Sequence, residues 1–221
     1  MEPRLKIIAY SDYVCPWCYI GLQRIEQLQR EFPVEVEWRP FELHPETPRS
    51  GADLRGRLGG SARAAAYAGN IIALAQDSGL AMHMPMVVAN SHLSLEAAEF
   101  AREHGGFEAY HRALFRAYFE EARDIGDTEV LCELARSRGV DDQGLRQALA
   151  DGRYAAVIDQ VTAEAREGEV ISTPTFIYES GFRLTGAQDY DVFASVTRNL
   201  LDRARASTYP AQVEGSSSPS L

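Results

Sequence analysis

The sequence predicts an α/β fold in which a β-α-β unit and a β-β-α unit flank a large all-helical insertion. Three observations carry this. The first forty residues alternate strand and helix character. Residues 51–168 show helical spacing with no convincing strand. Strand character returns only at Thr175. At 221 residues the chain fits one large domain or a domain carrying an insertion.

The elements follow in order. Leu5-Lys6-Ile7-Ile8-Ala9-Tyr10 is a short apolar run consistent with a buried strand. Ser11-Asp12-Tyr13-Val14 is a loop, and a helix begins near Cys15. Pro16 falls in its first turn, where a fixed φ suits the helix and a missing N–H goes unnoticed. Apolar residues at Ile20, Leu22, Ile25, Leu28 and Phe32 continue it with helical spacing, and Pro33 ends it. Val34-Glu35-Val36-Glu37-Trp38-Arg39 alternates at period two, as a half-buried strand does. In the insertion, helices are expected over 62–78, 94–104, 107–120, 128–137, 143–150 and 154–167. Glycines separate them, and Asp127 and Asp141 are plausible caps. Thr175–Tyr178 and Phe182–Thr185 read as a hairpin turning at Ser180-Gly181, and a last helix runs from Tyr190 to Ala204 with Asp189 as its cap.

This order is the thioredoxin arrangement, so a thioredoxin-like fold is expected. Its first half spans 1–50, the helical insertion 51–168 and its second half 169–206. The Ser-, Pro- and Gly-rich tail, 207–221, is expected to be disordered.

Composition removes several function classes. Net charge is −10, which disfavours nucleic acid, whose phosphates need clustered Lys and Arg. Lys6 is the only lysine and sits in the first strand, so lysine Schiff-base chemistry is not expected. The longest stretch free of Asp, Glu, Lys and Arg, Ser78–Leu95, holds Pro85, Asn90 and two histidines and is too polar to span a bilayer. No signal-peptide pattern follows Met1, and the expected location is cytoplasmic.

The chemistry lies in Cys15-Pro16-Trp17-Cys18. Residues three apart share a helix face, so the two thiols are neighbours on the first turn. The N-terminal one meets free N–H groups and the positive end of the helix dipole, which lower its pKa and raise its thiolate fraction. Cys15 is therefore the expected nucleophile and Cys18 the resolving thiol, exchanging electrons with a disulfide through a mixed disulfide. Half of a zinc site is the competing reading, but four-coordinate zinc wants two more ligands and no second close cysteine pair exists, so no metal is expected. Thr173-Pro174 opens the strand after the insertion. In a thioredoxin fold that proline is cis and faces the cysteine pair. Pro16, Trp17, Thr173 and Pro174 are thus the expected substrate-binding residues.

Ser11-Asp12-Tyr13-Val14-Cys15-Pro16-Trp17-Cys18-Tyr19-Ile20-Gly21, Ala113–Phe119, Asp124–Asp127, Thr173–Phe176 and Leu184–Gln188 together resemble the DsbA-like thioredoxin-fold oxidoreductases, in particular the FrnE branch. The resemblance covers roughly Leu5 to Ala204. It implies a redox-active Cys15–Cys18 pair, a cis Pro174 and exchange with protein or small-molecule thiols and disulfides. The best-known DsbA proteins have His between their cysteines where Trp17 stands here. The pair is therefore expected to be less oxidising than DsbA's, about −120 mV, and nearer thioredoxin's, about −270 mV, with reduction or isomerisation as its direction. No cofactor is expected beyond the Cys15–Cys18 disulfide, with glutathione as an alternative co-substrate. The runner-up reading is a glutathione-dependent isomerase or transferase, like the architecturally similar 2-hydroxychromene-2-carboxylate isomerases and kappa-class glutathione transferases. In those a serine commonly replaces the first cysteine, and Asn90-Ser91 weakly resembles a glutathione-contacting segment.

Other residues receive plainer readings. Cys132 is expected to be a buried, inert thiol. Asp12 is read as a turn-former or a group tuning Cys15. The methionines of Met82-His83-Met84-Pro85-Met86 are expected to pack a pliable apolar surface near the dithiol, and His111 is expected to be structural.

Overall fold

The computed structural model describes residues 3–208. Strand β1, Leu5–Ser11, is central because it is apolar on both faces. Ile7 and Ala9 face one side, Ile8 and Tyr10 the other. Helix α1, Pro16–Glu31, crosses to β2, Val34–Pro40, which pairs parallel with β1 from Leu5↔Val34 to Ser11↔Pro40. The chain then leaves the sheet. A two-residue strand, β3 (Ala52–Asp53), leads into α2 (Leu54–Leu58) and α3 (Ser61–Asp77). A second short strand, β4 (Val87–Val88), pairs antiparallel with β3 and precedes α4 (His92–Glu103), α5 (Phe107–Phe119), α6 (Thr128–Ser137), α7 (Asp142–Ala150) and α8 (Ala155–Glu167). The chain returns as β5, Thr175–Tyr178, antiparallel to β1, then β6, Arg183–Thr185, antiparallel to β5, and ends in α9, Tyr190–Thr208. The four-stranded sheet has order β2-β1-β5-β6.

The fold is thioredoxin-like with a helical insertion, as expected, and it adds three details. The small β3–β4 ribbon and the five-residue α2 lie where no strand and no helix were expected. The last helix runs to Thr208 rather than Ala204, so the tail expected from 207 begins inside it, and residues 209–221 lie outside the described ones. The two caps read from sequence are present. Asp127 accepts from the Glu129 N–H, and Asp141 from the N–H groups of Gln143 and Gly144.

Helices α1 and α9 cover one sheet face, with Phe176 edge-on to Phe193 at 5.1 Å. Helix α8 covers the other, where Ala165 joins Tyr10, Phe41 and Val170 in a second apolar cluster. The insertion is bound to the sheet by aromatic packing around buried His111 of α5. Its ring lies 4.7 Å from Trp38 of β2 and 5.0 Å from Phe107, and its Nδ1 and the Tyr13 hydroxyl are hydrogen-bonded at 2.7 Å. Dry surroundings penalise the imidazolium, and the His111 pKa falls to about 3. This ring is structural and neutral. No helix among the described residues is long and apolar enough to cross a membrane.

Candidate active site

Cys15 is the N-cap of α1 and Pro16 follows it at the first helical position. The cap backbone is extended, its N–H donates to the Asp12 carbonyl at 3.2 Å, and Cys18 N–H closes the first turn onto the Cys15 carbonyl at 3.0 Å. Both thiols are free and buried, Cys15 with 4% of its surface accessible and Cys18 with none. The Cys15 sulfur lies 3.5 Å from the Thr173 carbonyl oxygen, across from the Thr173–Pro174 peptide bond, which is cis. Gly21, one turn beyond Cys18, lets α1 approach this segment. A Cβ there would stand 3.1 Å from the Phe176 ring and 3.2 Å from Pro174.

The two thiols are electrostatically unequal. The Cys18 thiol beside it holds Cys15 below the usual thiol range, against the opposing effect of burial. Burial first, and the Cys15 sulfur second, push Cys18 well above that range. The hydroxyls of Ser11 and Thr173 are buried without a conventional hydrogen-bond partner and stand next to the cysteine sulfurs, where each can donate to a thiolate. Asp12 is fully buried behind the pair. Its carboxyl accepts from Leu43 N–H at 2.8 Å and Val14 N–H at 3.3 Å, and burial still lifts its pKa to about 6. It is both a turn-former and a group that acts on Cys15, because its negative charge opposes the thiolate.

Cys15 opens on a pocket of about 430 Å³. Pro16, Trp17 and Thr173 line it, while Cys18 and Pro174 do not. Its walls are apolar, with Leu54 and Leu58 of α2, Tyr67 of α3 and Phe119 of α5, and its rim carries His44, Glu46 and Arg57. His44 Nδ1 is 3.1 Å and Arg57 Nη2 3.8 Å from Glu46 Oε1. Among the methionines expected near the dithiol, Met84 lines the pocket, Met82 is in the core and Met86 is substantially exposed. Ser91, read from the sequence only as part of a segment weakly resembling a glutathione-contacting one, bonds Asp12 through its side chain, and the rim residues were not singled out by sequence reasoning. They sit in loops and short elements without a motif. Cys132 is buried in α6, away from the pocket, with its pKa raised by burial. Among the described residues, the one group of His, Cys, Asp and Glu side chains able to hold a metal includes neither cysteine of the pair.

This arrangement, a low-pKa thiol at a helix tip, a deeper high-pKa thiol and a neighbouring backbone carbonyl, suits thiol–disulfide exchange. A model of the DSBA-like thioredoxin domain matches residues 6–197. The chain belongs to this family. It is 33% identical over 192 residues to the uncharacterized protein YwbO of Bacillus subtilis (strain 168), covering 86% of this chain and 94% of that protein. The crystal structure of a probable DsbA oxidoreductase, SCO1869, from Streptomyces coelicolor is similar at TM-score 0.81 and 30% identity, over 95% of this chain and 94% of that one. A 2-hydroxychromene-2-carboxylate isomerase shares the fold at TM-score 0.74 and 16% identity, over 92% of this chain and 99% of that one.

Proposed function

We infer that this member of the DSBA-like family is a thiol–disulfide oxidoreductase acting through Cys15 and Cys18, as the FrnE-like motif suggests. One observation carries the reading: the lowered-pKa thiol caps α1, touches the Thr173 carbonyl and opens on the pocket, with a high-pKa thiol one turn deeper. The Cys15 thiolate attacks one sulfur of a substrate disulfide. A Cys15–substrate disulfide forms and the other substrate sulfur leaves as a thiolate. Cys18, losing its proton, then attacks the Cys15 sulfur, closes Cys15–Cys18 and releases the second substrate thiolate. Two electrons pass to the substrate, and an external dithiol restores the pair. Pro16, Trp17 and Thr173 contact the substrate, and Pro174 supports the segment that presents the Thr173 backbone.

With Trp17 between the cysteines no imidazolium helps the thiolate, so the potential lies nearer about −270 mV than about −120 mV. In the cytoplasmic location read from the sequence, the pair rests reduced and the exchange runs toward reduction or isomerisation of protein or small-molecule disulfides. The test is reduction of insulin disulfides by a thiol reductant. Wild type accelerates it and Cys15→Ser does not. Equal slow rates for the two proteins would overturn the reading.

The pocket favours a second reading, a glutathione-dependent isomerase or transferase. A 430 Å³ cavity with an acid, a guanidinium and an imidazole on its rim fits a small zwitterionic thiol better than an open protein-binding groove would. That reading requires glutathione binding that survives Cys18→Ser, which calorimetry measures.

A further inference from the structure

Away from the dithiol pocket, three elements bring Glu42, His92 and Asp159 together. Glu42 follows β2, His92 begins α4, and Asp159 lies on α8. One ligand atom from each lies within 4.8 Å of the others. Glu42 is buried, His92 half-buried and Asp159 exposed, and all three border a cavity of about 280 Å³. His92 Nδ1 stands 2.9 Å from Glu42 Oε2, and its Nε2 is 3.6 Å from Oε1 of Glu96, a carboxylate with 2% exposure.

We propose that Glu42, His92 and Asp159 form a binding site for one divalent metal ion, zinc by the chemistry of its ligands, with Glu96 holding the imidazole from behind. Imidazole nitrogen and carboxylate oxygen are both zinc ligands, and open zinc sites keep water in the fourth position. Metal-binding histidines almost always give their other ring nitrogen to a carboxylate or carbonyl, which fixes the tautomer. Without a metal, Nδ1–H donates to Glu42 at 2.9 Å; on binding, that proton leaves to solvent, the freed Nδ1 lone pair takes the ion beside Glu42 and Asp159, and Nε2–H turns to Glu96, 3.6 Å away. Charge points the same way. Three carboxylates face His92, whereas Arg49 is the guanidinium bordering the cavity, and Arg166 is directed at the Glu42 carbonyl oxygen and the Phe41 ring. Tetrahedral zinc holds its ligand atoms about 3.3–3.5 Å apart, and exposed Asp159 closes the remaining gap by a side-chain rotation.

Such an ion would join the loop after β2 to α4 and α8, pinning the insertion to the sheet. The same loop continues into Leu43, whose N–H holds Asp12 and whose side chain lines the dithiol pocket. Metal occupancy therefore steadies one wall of that pocket.

The test uses the full chain with Cys15, Cys18 and Cys132 changed to serine, so that no thiol competes for zinc. After stripping with a chelator, zinc is titrated by calorimetry and counted by native mass spectrometry. One ion per chain is expected, with a higher Tm on binding. Asp159→Asn, an exposed change that leaves the fold intact, and His92→Ala should each weaken affinity at least about tenfold, and Glu96→Gln by about 10–100-fold. Cobalt in place of zinc should give visible absorption bands that His92→Ala removes. The proposal fails if the thiol-free protein takes up no zinc below millimolar concentration, or if Asp159→Asn binds as tightly as its parent.

Discussion

Asp12→Asn isolates the cost of holding a carboxylate behind the cysteine pair. Asp12 ionises near 3.8 in an unfolded chain and near 6 in the fold, because burial outweighs its hydrogen bonds from Leu43, Val14 and Ser91. The folded state therefore binds the proton more tightly, and wild-type stability falls as pH rises through this window. Two pKa units correspond to about 3 kcal/mol, absent below pH 3.8 and complete above pH 6. Asparagine never ionises, but it offers one acceptor oxygen where Asp12 offers two, a loss of about 1–2 kcal/mol that does not depend on pH. The stability of Asp12→Asn relative to wild type should consequently climb by about 3 kcal/mol between pH 4 and pH 7. Urea unfolding at intervals of half a pH unit measures this, and contributions common to both proteins cancel. A difference that stays flat across the window would refute the buried-carboxylate reasoning.

Other expectations follow from the same physics. His111 has the opposite sign: its pKa drops from 6.5 to about 3, so the stability it confers is present above pH 6.5 and lost as pH falls toward 3. His111→Gln, which keeps a hydrogen-bonding partner for Tyr13, should gain on wild type by up to about 5 kcal/mol over that range in acid-unfolding curves. Gly21→Ala pushes a methyl against Pro174 and Phe176 and should cost about 1–3 kcal/mol in urea unfolding, with slower insulin reduction as the Thr173 segment is displaced. Asp141→Ala removes the acceptor for two N–H groups at the start of α7 and should cost about 0.5–2 kcal/mol, measured as a lower urea midpoint.

Long periodic segments and their punctuation were legible in the sequence. Val34–Arg39 alternates because one face is buried, Asp127 and Asp141 cap because their carboxylates meet orphan N–H groups, and Cys15-Pro16 marks a helix tip. What stayed hidden depends on partners distant in the chain. Ala52–Asp53 and Val87–Val88 are too short to show alternation and are strands only because they pair with each other. Helix α2 is five residues long with Gly56 inside, below the length at which periodicity speaks. Helix α4 starts at His92 rather than Ser94, whose hydroxyl instead donates to the Ser91 carbonyl within the first turn. At the site, Cys15, Pro16, Trp17 and Thr173 could be read from their motifs, whereas His44, Glu46 and Arg57 reach the pocket rim from a loop and a short helix that carry no signature. The cluster of residues 42, 92 and 159 is likewise a product of the tertiary fold alone.

The unequal thiols are open to direct measurement by alkylating the reduced protein with iodoacetamide across pH and locating the label by peptide mass spectrometry. Cys15 should react first, with an apparent pKa below the ordinary 9.0, and Cys18 should stay unlabelled until the protein unfolds. Labelling of Cys18 as fast as Cys15, or a Cys15 pKa at or above 9.0, would contradict the assignment of nucleophile and resolving thiol.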